Sequence, residues 1–250
     1  MGLRYKTDLP LDSPERTILH KEIISRKPFL RKLYTRWYSS MMDELGGLPE
    51  GFLLELGSGG GFFKEFVPDV ICSDILDLPG NDMTFSALEM PFEDNSVSAI
   101  FMVDTFHHIP DSEKFLKEAD RVLKKGGLLM MIEPANSWWG RYIYRTFHHE
   151  PFEPAGDWTF PLSGPMSGAN GALPWIVFER DWEEFQVKFP GFDIELIKYH
   201  TPLVYLLSGG VSLKQLLPGF CYGLVNLVDR TLSGISSGLS MFVTIKIRKE

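Results

Sequence analysis

Apolar residues fall into short runs that end at or beside an acid, and these runs alternate with stretches of helical spacing. Phe52-Leu53-Leu54-Glu55-Leu56, Val70-Ile71-Cys72-Ser73-Asp74, Val97 to Asp104 and Leu128 to Glu133 each read as a buried strand. Ser112 to Leu123 places Phe115, Leu116, Ala119 and Val122 on one face, as an amphipathic helix does. Upstream, Ser13 and Pro14 suit an N-cap and first helical position, and a helix runs through Ile18, Ile23 and Ile24. Pro28 restarts it, and it continues to Leu45, where Gly46-Gly47 stops it. A further helix spans Trp182–Phe189, while Phe192–Tyr199 and Met241–Arg248 alternate as strands do. Strands alternating with helices predict an α/β fold with a largely parallel sheet.

The first strand leads into Gly57-Ser58-Gly59-Gly60-Gly61, and the helix that follows from Phe62 is short, because Pro68 ends it. Gly57 lets the chain turn, and Gly59 and Gly61 let backbone approach a ligand without a Cβ in the way. A dinucleotide-binding turn would be G-x-G-x-x-G, which needs a glycine where Phe62 stands. The string E-L-G-S-G-G-G, with Glu55 two residues before the first glycine, instead resembles motif I of class I S-adenosylmethionine (SAM)-dependent methyltransferases. Met83 to Ser96 is similar to the third strand and L-P-F-D-S-F turn of the methyltransferase-11 type, and Arg121-Val122-Leu123-Lys124-Lys125-Gly126-Gly127 before an apolar strand is a sub-signature of the same family.

That resemblance implies a Rossmann-like, seven-stranded, mostly parallel sheet of order 3-2-1-4-5-7-6, its last two strands an antiparallel pair, with helices on both faces. It implies SAM as the cofactor, held by Glu55, Gly57, Ser58, Gly59, Gly61, Asp74, Ser86, Ala87 and Asp104. Asp74 would accept hydrogen bonds from the two ribose hydroxyls, with Asp77 as the alternative and a helix-capping acid as the plain structural role. Ser86 stands where relatives commonly carry an Asp toward the adenine amino group, which leaves the Ala87 backbone as the adenine contact. The domain division that follows is an N-terminal helical cap over 1–48, a SAM-binding core over 49–134, a lid over 135–180, and the rest of the sheet over 181–250.

His107-His108 follow the fourth strand at its C-terminal end, where open α/β sheets bind ligands, so either is a candidate general base. The competing reading is that they only fasten the loop or flank the cofactor. A second pair, His148-His149, lies with Glu150 inside the lid, and Arg180-Asp181 sits where the lid rejoins a helix. These are a second acid/base cluster or the polar punctuation of a packed insert.

Composition narrows the partners. A formal charge of −8 argues against a nucleic-acid substrate held by a broad basic surface. Cys72 and Cys221 stand far apart without metal-ligand spacing, no metal ligand is assigned, and two cysteines fit a reducing, cytoplasmic setting. No apolar stretch near the N-terminus reads as a signal peptide. The span Trp158–Phe178 has no charged residue, but its prolines and glycines make a membrane helix implausible, so an aromatic-lined lid is expected. Residues 202–240 carry only Lys214, Asp229 and Arg230 as charges and read as a buried helical insert, a pocket wall or an interfacial segment. Together with the basic, aromatic N-terminal helix, that insert could dock on an anionic bilayer; the plainer expectation folds both into the core.

The function these features imply is methyl transfer from SAM to a small, hydrophobic or lipid-linked acceptor, with oxygen favoured by the nearby histidines. The alternatives are a catalytically degenerate SAM-binding module or a nicotinamide-binding protein of similar fold.

Overall fold

The computed structural model of the chain describes Tyr5, residues 7–148 and residues 150–250; His149 lies outside the described residues. In chain order the main elements are α1 (Pro14–Arg26), α2 (Pro28–Met42), β1 (Phe52–Leu56), β2 (Val70–Asp74), β3 (Met83–Thr84), β4 (Val97–Val103), α3 (Ser112–Val122) and β5 (Leu123–Pro134). They continue with α4 (Trp138–Phe147), α5 (Leu173–Trp175, running into a π-helical turn to Arg180), α6 (Trp182–Lys188), β6 (Phe192–His200), α7 (Val204–Ser208), α8 (Tyr222–Ile235) and β7 (Phe242–Lys249).

The strands form one sheet of order β3-β2-β1-β4-β5-β7-β6. β3, β2, β1, β4 and β5 are parallel, and β7 pairs antiparallel with both β5 and β6. This is the topology the methyltransferase resemblance implies. Burial follows the pattern: β4 and β5 are almost continuously buried, as central strands covered on both faces must be.

Local departures have local causes. β3 is only two residues long. After the glycine turn the chain makes a single 3₁₀ turn, Phe63–Glu65, and no α-helix, since too few residues remain before Pro68. β5 begins at Leu123, with Leu123 paired to Val97 but Leu128 paired to Ala99, so Lys124–Gly127 bulge out of the ladder where Gly126 takes φ +77°.

The N-terminal helices pack into the domain. The Ser13 side chain accepts the Arg16 N–H and caps α1, and Pro28, at the first position of α2, lacks the N–H a continuous helix would need. α2 buries Phe29, Leu30, Leu33, Trp37, Tyr38 and Met41, each contributing about 1.5–3 kcal/mol of transfer free energy. The apolar insert behaves otherwise. In α8 the buried residue is Asp229, whereas Leu224 and Ile235 are each 70% exposed. The helix is inverted: Asn226 and Asp229 meet Arg36, and the Asp229 carboxylate accepts the Leu203 and Val204 N–H groups at 2.7 and 3.0 Å. Its apolar stripe faces outward, against the expectation of a core segment. Among the described residues no helix is long and apolar enough to cross a membrane.

Candidate active site

The C-terminal ends of β1, β2 and β4 open into a cavity of about 630 Å3, within the range of small-molecule sites. Its walls bring together residues scattered along the chain: the glycine turn, Asp74, Ser86-Ala87, Asp104, His108, His148 and Glu150.

One end is built from the glycine turn. Gly57 has φ +64°, and a Cβ there would lie 2.3 Å from Thr105 Cγ2, so only glycine fits. Gly61 lines the cavity, and a Cβ on it would meet the Tyr38 hydroxyl at 2.4 Å, so this glycine also makes room for a tyrosine from α2. The Gly59 N–H donates to Asp74 Oδ2 at 3.1 Å and the Leu76 N–H to Oδ1 at 2.9 Å. Each Asp74 oxygen keeps a further lone pair. Burial raises the Asp74 pKa, and hydrogen bonds from Leu76, Gly59 and Ile75 pull it back. Asp77 is exposed and off the cavity wall. Ser86 Oγ accepts the Leu88 N–H at 3.2 Å, closing its own turn.

Glu55 is 3% exposed and supports the turn from behind. The Cys72 thiol approaches it at 3.4 Å. Burial pushes its carboxyl up to about 7, against hydrogen bonds from Ser58, Cys72 and Tyr38. Ser58 ties the turn to β2: its N–H donates to the Ser73 carbonyl at 2.9 Å and its hydroxyl accepts the Ser73 N–H at 3.1 Å.

The other end holds the histidines. Asp104, at φ +56°, closes β4 and faces the cavity; burial raises its carboxyl to about 7, the His107 charge opposing. His107 is 1% exposed and does not reach the cavity surface. Its Nδ1 lies 2.7 Å from Glu133 Oε2 and its Nε2 3.3 Å from Glu150 Oε2. Burial opposes its charge, but the two carboxylates hold it protonated well above the usual histidine range. Glu133 is itself fixed, its Oε1 accepting the Thr105 and Phe106 N–H groups at 2.8 and 2.7 Å. His108 donates Nδ1–H to the Gly168 carbonyl at 3.0 Å, which leaves Nε2 on the side of Glu150 Oε1, 3.8 Å away. Burial, then the His107 charge, lowers its pKa to about 4. Burial raises Glu150, but the His107 hydrogen bond and the His148, His107 and His108 charges hold it well below the usual carboxylate range. His148 Nδ1 stands 3.4 Å from Glu150.

Thus His107, His108, His148 and Glu150 meet, while Arg180-Asp181 does not join them. Arg180 binds Asp181 and the Pro154 and Gly156 carbonyls, and Asp181 accepts the Trp158 indole N–H, so that pair ties down the insert.

Several wall residues carried no sequence signal. Tyr34 and Tyr38 come from α2, Tyr205 from α7, and Thr17, His20 and Ile24 from α1. Leu162–Met166 cover the cavity, held by Asp12 Oδ1, which accepts the Met166 and Ser167 N–H groups, each at 2.8 Å. Among the described residues the lid's aromatic rings do not line the cavity; Tyr144, Phe152 and Trp158 pack inward, and the aromatic wall is made by tyrosines from elsewhere and Phe85. Glu133 ends its strand in an acid, as do the strands of Asp74 and Asp104, and that pattern was the available clue to it.

Comparisons with known proteins agree with this geometry. Residues 54–131, from β1 into β5, match the family described as methyltransferase domain. A stretch of 46 residues is 37% identical to sarcosine/dimethylglycine N-methyltransferase of Halorhodospira halochloris, covering 18% of this chain and 16% of that one. Among solved structures, a SAM-dependent methyltransferase of Thermotoga maritima, described as a possible histamine N-methyltransferase, superposes with TM-score 0.51 at 21% identity over 92% of this chain and 99% of the other. Geranyl diphosphate C-methyltransferase from Streptomyces coelicolor A3(2), in complex with Mg2+, geranyl diphosphate and S-adenosyl-L-homocysteine, gives TM-score 0.54 at 16% identity over 98% and 90%. At these identities the superpositions show the fold.

Proposed function

We propose that residues 54–131, which match the methyltransferase-domain family, are the core of a class I, SAM-dependent methyltransferase, and that the protein methylates an oxygen of a small, hydrophobic or lipid-linked acceptor. The observation that carries this is one continuous cavity with two chemically different ends. At the glycine-turn end, the unused lone pairs of Asp74 would accept the ribose hydroxyls, and the Ser86-Ala87 segment would flank the adenine. Gly57, Ser58 and Gly59 would shape the turn around the cofactor, with Glu55 holding it from behind.

At the other end, His108 Nε2 and the Glu150 carboxylate are acceptors suited to a hydroxyl. Methyl transfer from a sulfonium is an in-line displacement, so the chief task of the protein is to place donor carbon and acceptor oxygen in line. The hydroxyl loses its proton as the C–O bond forms, and a hydrogen bond into this wall orients it for that loss. The walls between the ends are apolar or aromatic, with Ile24, Tyr34, Val103, Tyr205 and Val211, which fits a hydrophobic acceptor. The test is methyl transfer from radiolabelled SAM to paired alcohols, phenols and amines of matched apolar size. Label appearing on the hydroxyl compounds supports the reading; label confined to amines sinks the assignment to oxygen.

A second reading concerns where the acceptor is met. The outward stripe of Phe220, Leu224, Leu227, Val228 and Ile235 runs beside α2, whose Lys32 ammonium sits 5.1 Å from the Tyr222 ring centre. Exposed Arg230 adds a cation on α8 itself. Lys32 thus borders the apolar stripe, and we infer that this stripe rests on an anionic bilayer. Co-sedimentation with phosphatidylserine vesicles should be lost in Leu224→Asp/Leu227→Asp while the melting temperature holds. Wild-type protein staying in the supernatant at low salt would contradict it.

A further inference from the structure

His107, His108 and Glu150 converge in a way that hydrogen bonding of an acceptor does not require. Both imidazoles have Nδ1 committed outside the cluster, His107 to Glu133 and His108 to the Gly168 carbonyl. Both therefore turn Nε2 toward the same carboxylate, at 3.3 and 3.8 Å from its two oxygens. One donor atom from each of the three residues lies within 4.8 Å of the others. Two ligands each about 2.1 Å from one ion stand about 3.0 Å apart at a right angle and about 4.2 Å apart when opposite; the 3.3 and 3.8 Å separations fall inside that range, and the wider one between the imidazoles closes by a small side-chain shift.

We propose that His107, His108 and Glu150 form a divalent transition-metal site at the acceptor end of the cavity, the ion displacing to solvent the proton that His107 Nε2 shares with Glu150. A carboxylate behind a ligand histidine fixes its tautomer and raises its basicity, and Glu133 stands in that relation to His107. The Thr105 and Phe106 N–H groups hold Glu133 in turn, so the support is rigid before any ion arrives. Two imidazoles and one carboxylate select Zn2+, Mn2+ or Fe2+ over Mg2+ or Ca2+, which prefer all-oxygen sets. His108 and Glu150 line the cavity, so the open coordination positions face the space where an acceptor would lie. There the ion would hold the acceptor oxygen. That last role rests on the methyltransferase reading; the binding itself does not.

The experiment uses the full chain, stripped with chelator and titrated calorimetrically with Zn2+, Mn2+ and Mg2+, alongside Co2+ absorption spectroscopy. The expected result is one Zn2+ or Mn2+ per chain, a visible Co2+ d–d band, and much weaker Mg2+ binding. His108→Ala and Glu150→Gln should each weaken Zn2+ binding and bleach the band. Glu133→Gln, which leaves all three ligands in place, should weaken it by about 10–100-fold. Because Glu133 is buried, circular dichroism and the melting temperature of each variant establish that it folds; a variant that does not fold is set aside and His108→Ala, on the cavity wall, decides. Absence of Zn2+ and Mn2+ binding, or binding unchanged in His108→Ala, overturns the site. SAM binding measured on the same stripped sample separates the two readings. SAM binding without metal removes only this inference, and metal binding without SAM removes the methyltransferase reading alone.

Discussion

Replacing Asp74 by Ala tests the cofactor end of the cavity. The carboxylate already accepts the Gly59 and Leu76 N–H groups and faces the cavity with its remaining lone pairs. Two ribose hydroxyls donating to it would form two hydrogen bonds to a charged acceptor, each worth about 1.5–3 kcal/mol. Water entering the space left by the side chain recovers part of that sum. The net loss should therefore be at least about 1.4 kcal/mol, which is tenfold in Kd. Calorimetry with SAM and with S-adenosylhomocysteine should show the same loss for both, since both carry the ribose. The substitution also releases two backbone donors of the turn, so the melting temperature of the ligand-free variant is needed beside it. Asp77→Ala is the control, because that side chain is exposed and off the cavity, and its affinity should match wild type. Unchanged affinity in a folded Asp74→Ala, or a loss in Asp77→Ala instead, would refute the assignment.

Other outcomes follow from individual contacts. Gly57→Ala combines a positive φ with a 2.3 Å clash against Thr105, and should lower stability by at least about 1–3 kcal/mol, read by denaturant unfolding. Glu55 has a folded pKa raised from about 4.5 to about 7, so its contribution is full below pH 4.5 and falls as pH rises through 7. Glu55→Gln should flatten that decline, a difference of roughly 3 kcal/mol by pH 8; parallel pH–stability curves would count against a buried, strained carboxyl. Asp229→Ala removes one partner of Arg36, which keeps Asn226 and Thr201, and releases the Leu203 and Val204 N–H groups, so it should cost about 1–3 kcal/mol; a loss under about 1 kcal/mol would show that α8 is held mainly by other contacts.

The sequence carried the sheet because its evidence is local. Runs such as Val97–Val103 are apolar at every position, and a strand covered on both faces needs nothing more to be recognised. Gly57 was legible for the same reason, since the tight turn after a strand, here at a positive φ, demands glycine. The packing of Tyr38 against Gly61 was not legible, because that tyrosine arrives from a separate helix, α2. Glu150 reaches His107 across 43 positions of sequence, a juxtaposition no spacing rule encodes. α8 shows the opposite limit. An apolar run says that a segment avoids water, not what covers it, and here Asp229 turns inward to Arg36 while Leu224 and Leu227 turn out. β3 and the Leu123–Leu128 bulge depend on pairing partners, so pattern alone placed the third strand only approximately and did not show the bulge.

The central claim, that this cavity receives SAM, is tested most directly by thermal unfolding of the wild-type chain with SAM, S-adenosylhomocysteine or NAD. A ligand at about 100 times its Kd stabilises the folded state by about 2.7 kcal/mol. At about 2–4 °C per kcal/mol for a domain of this size, the melting temperature should rise by about 5–10 °C with either sulfur compound and stay in place with NAD. A rise with NAD alone, or no rise with any of the three, would contradict the account.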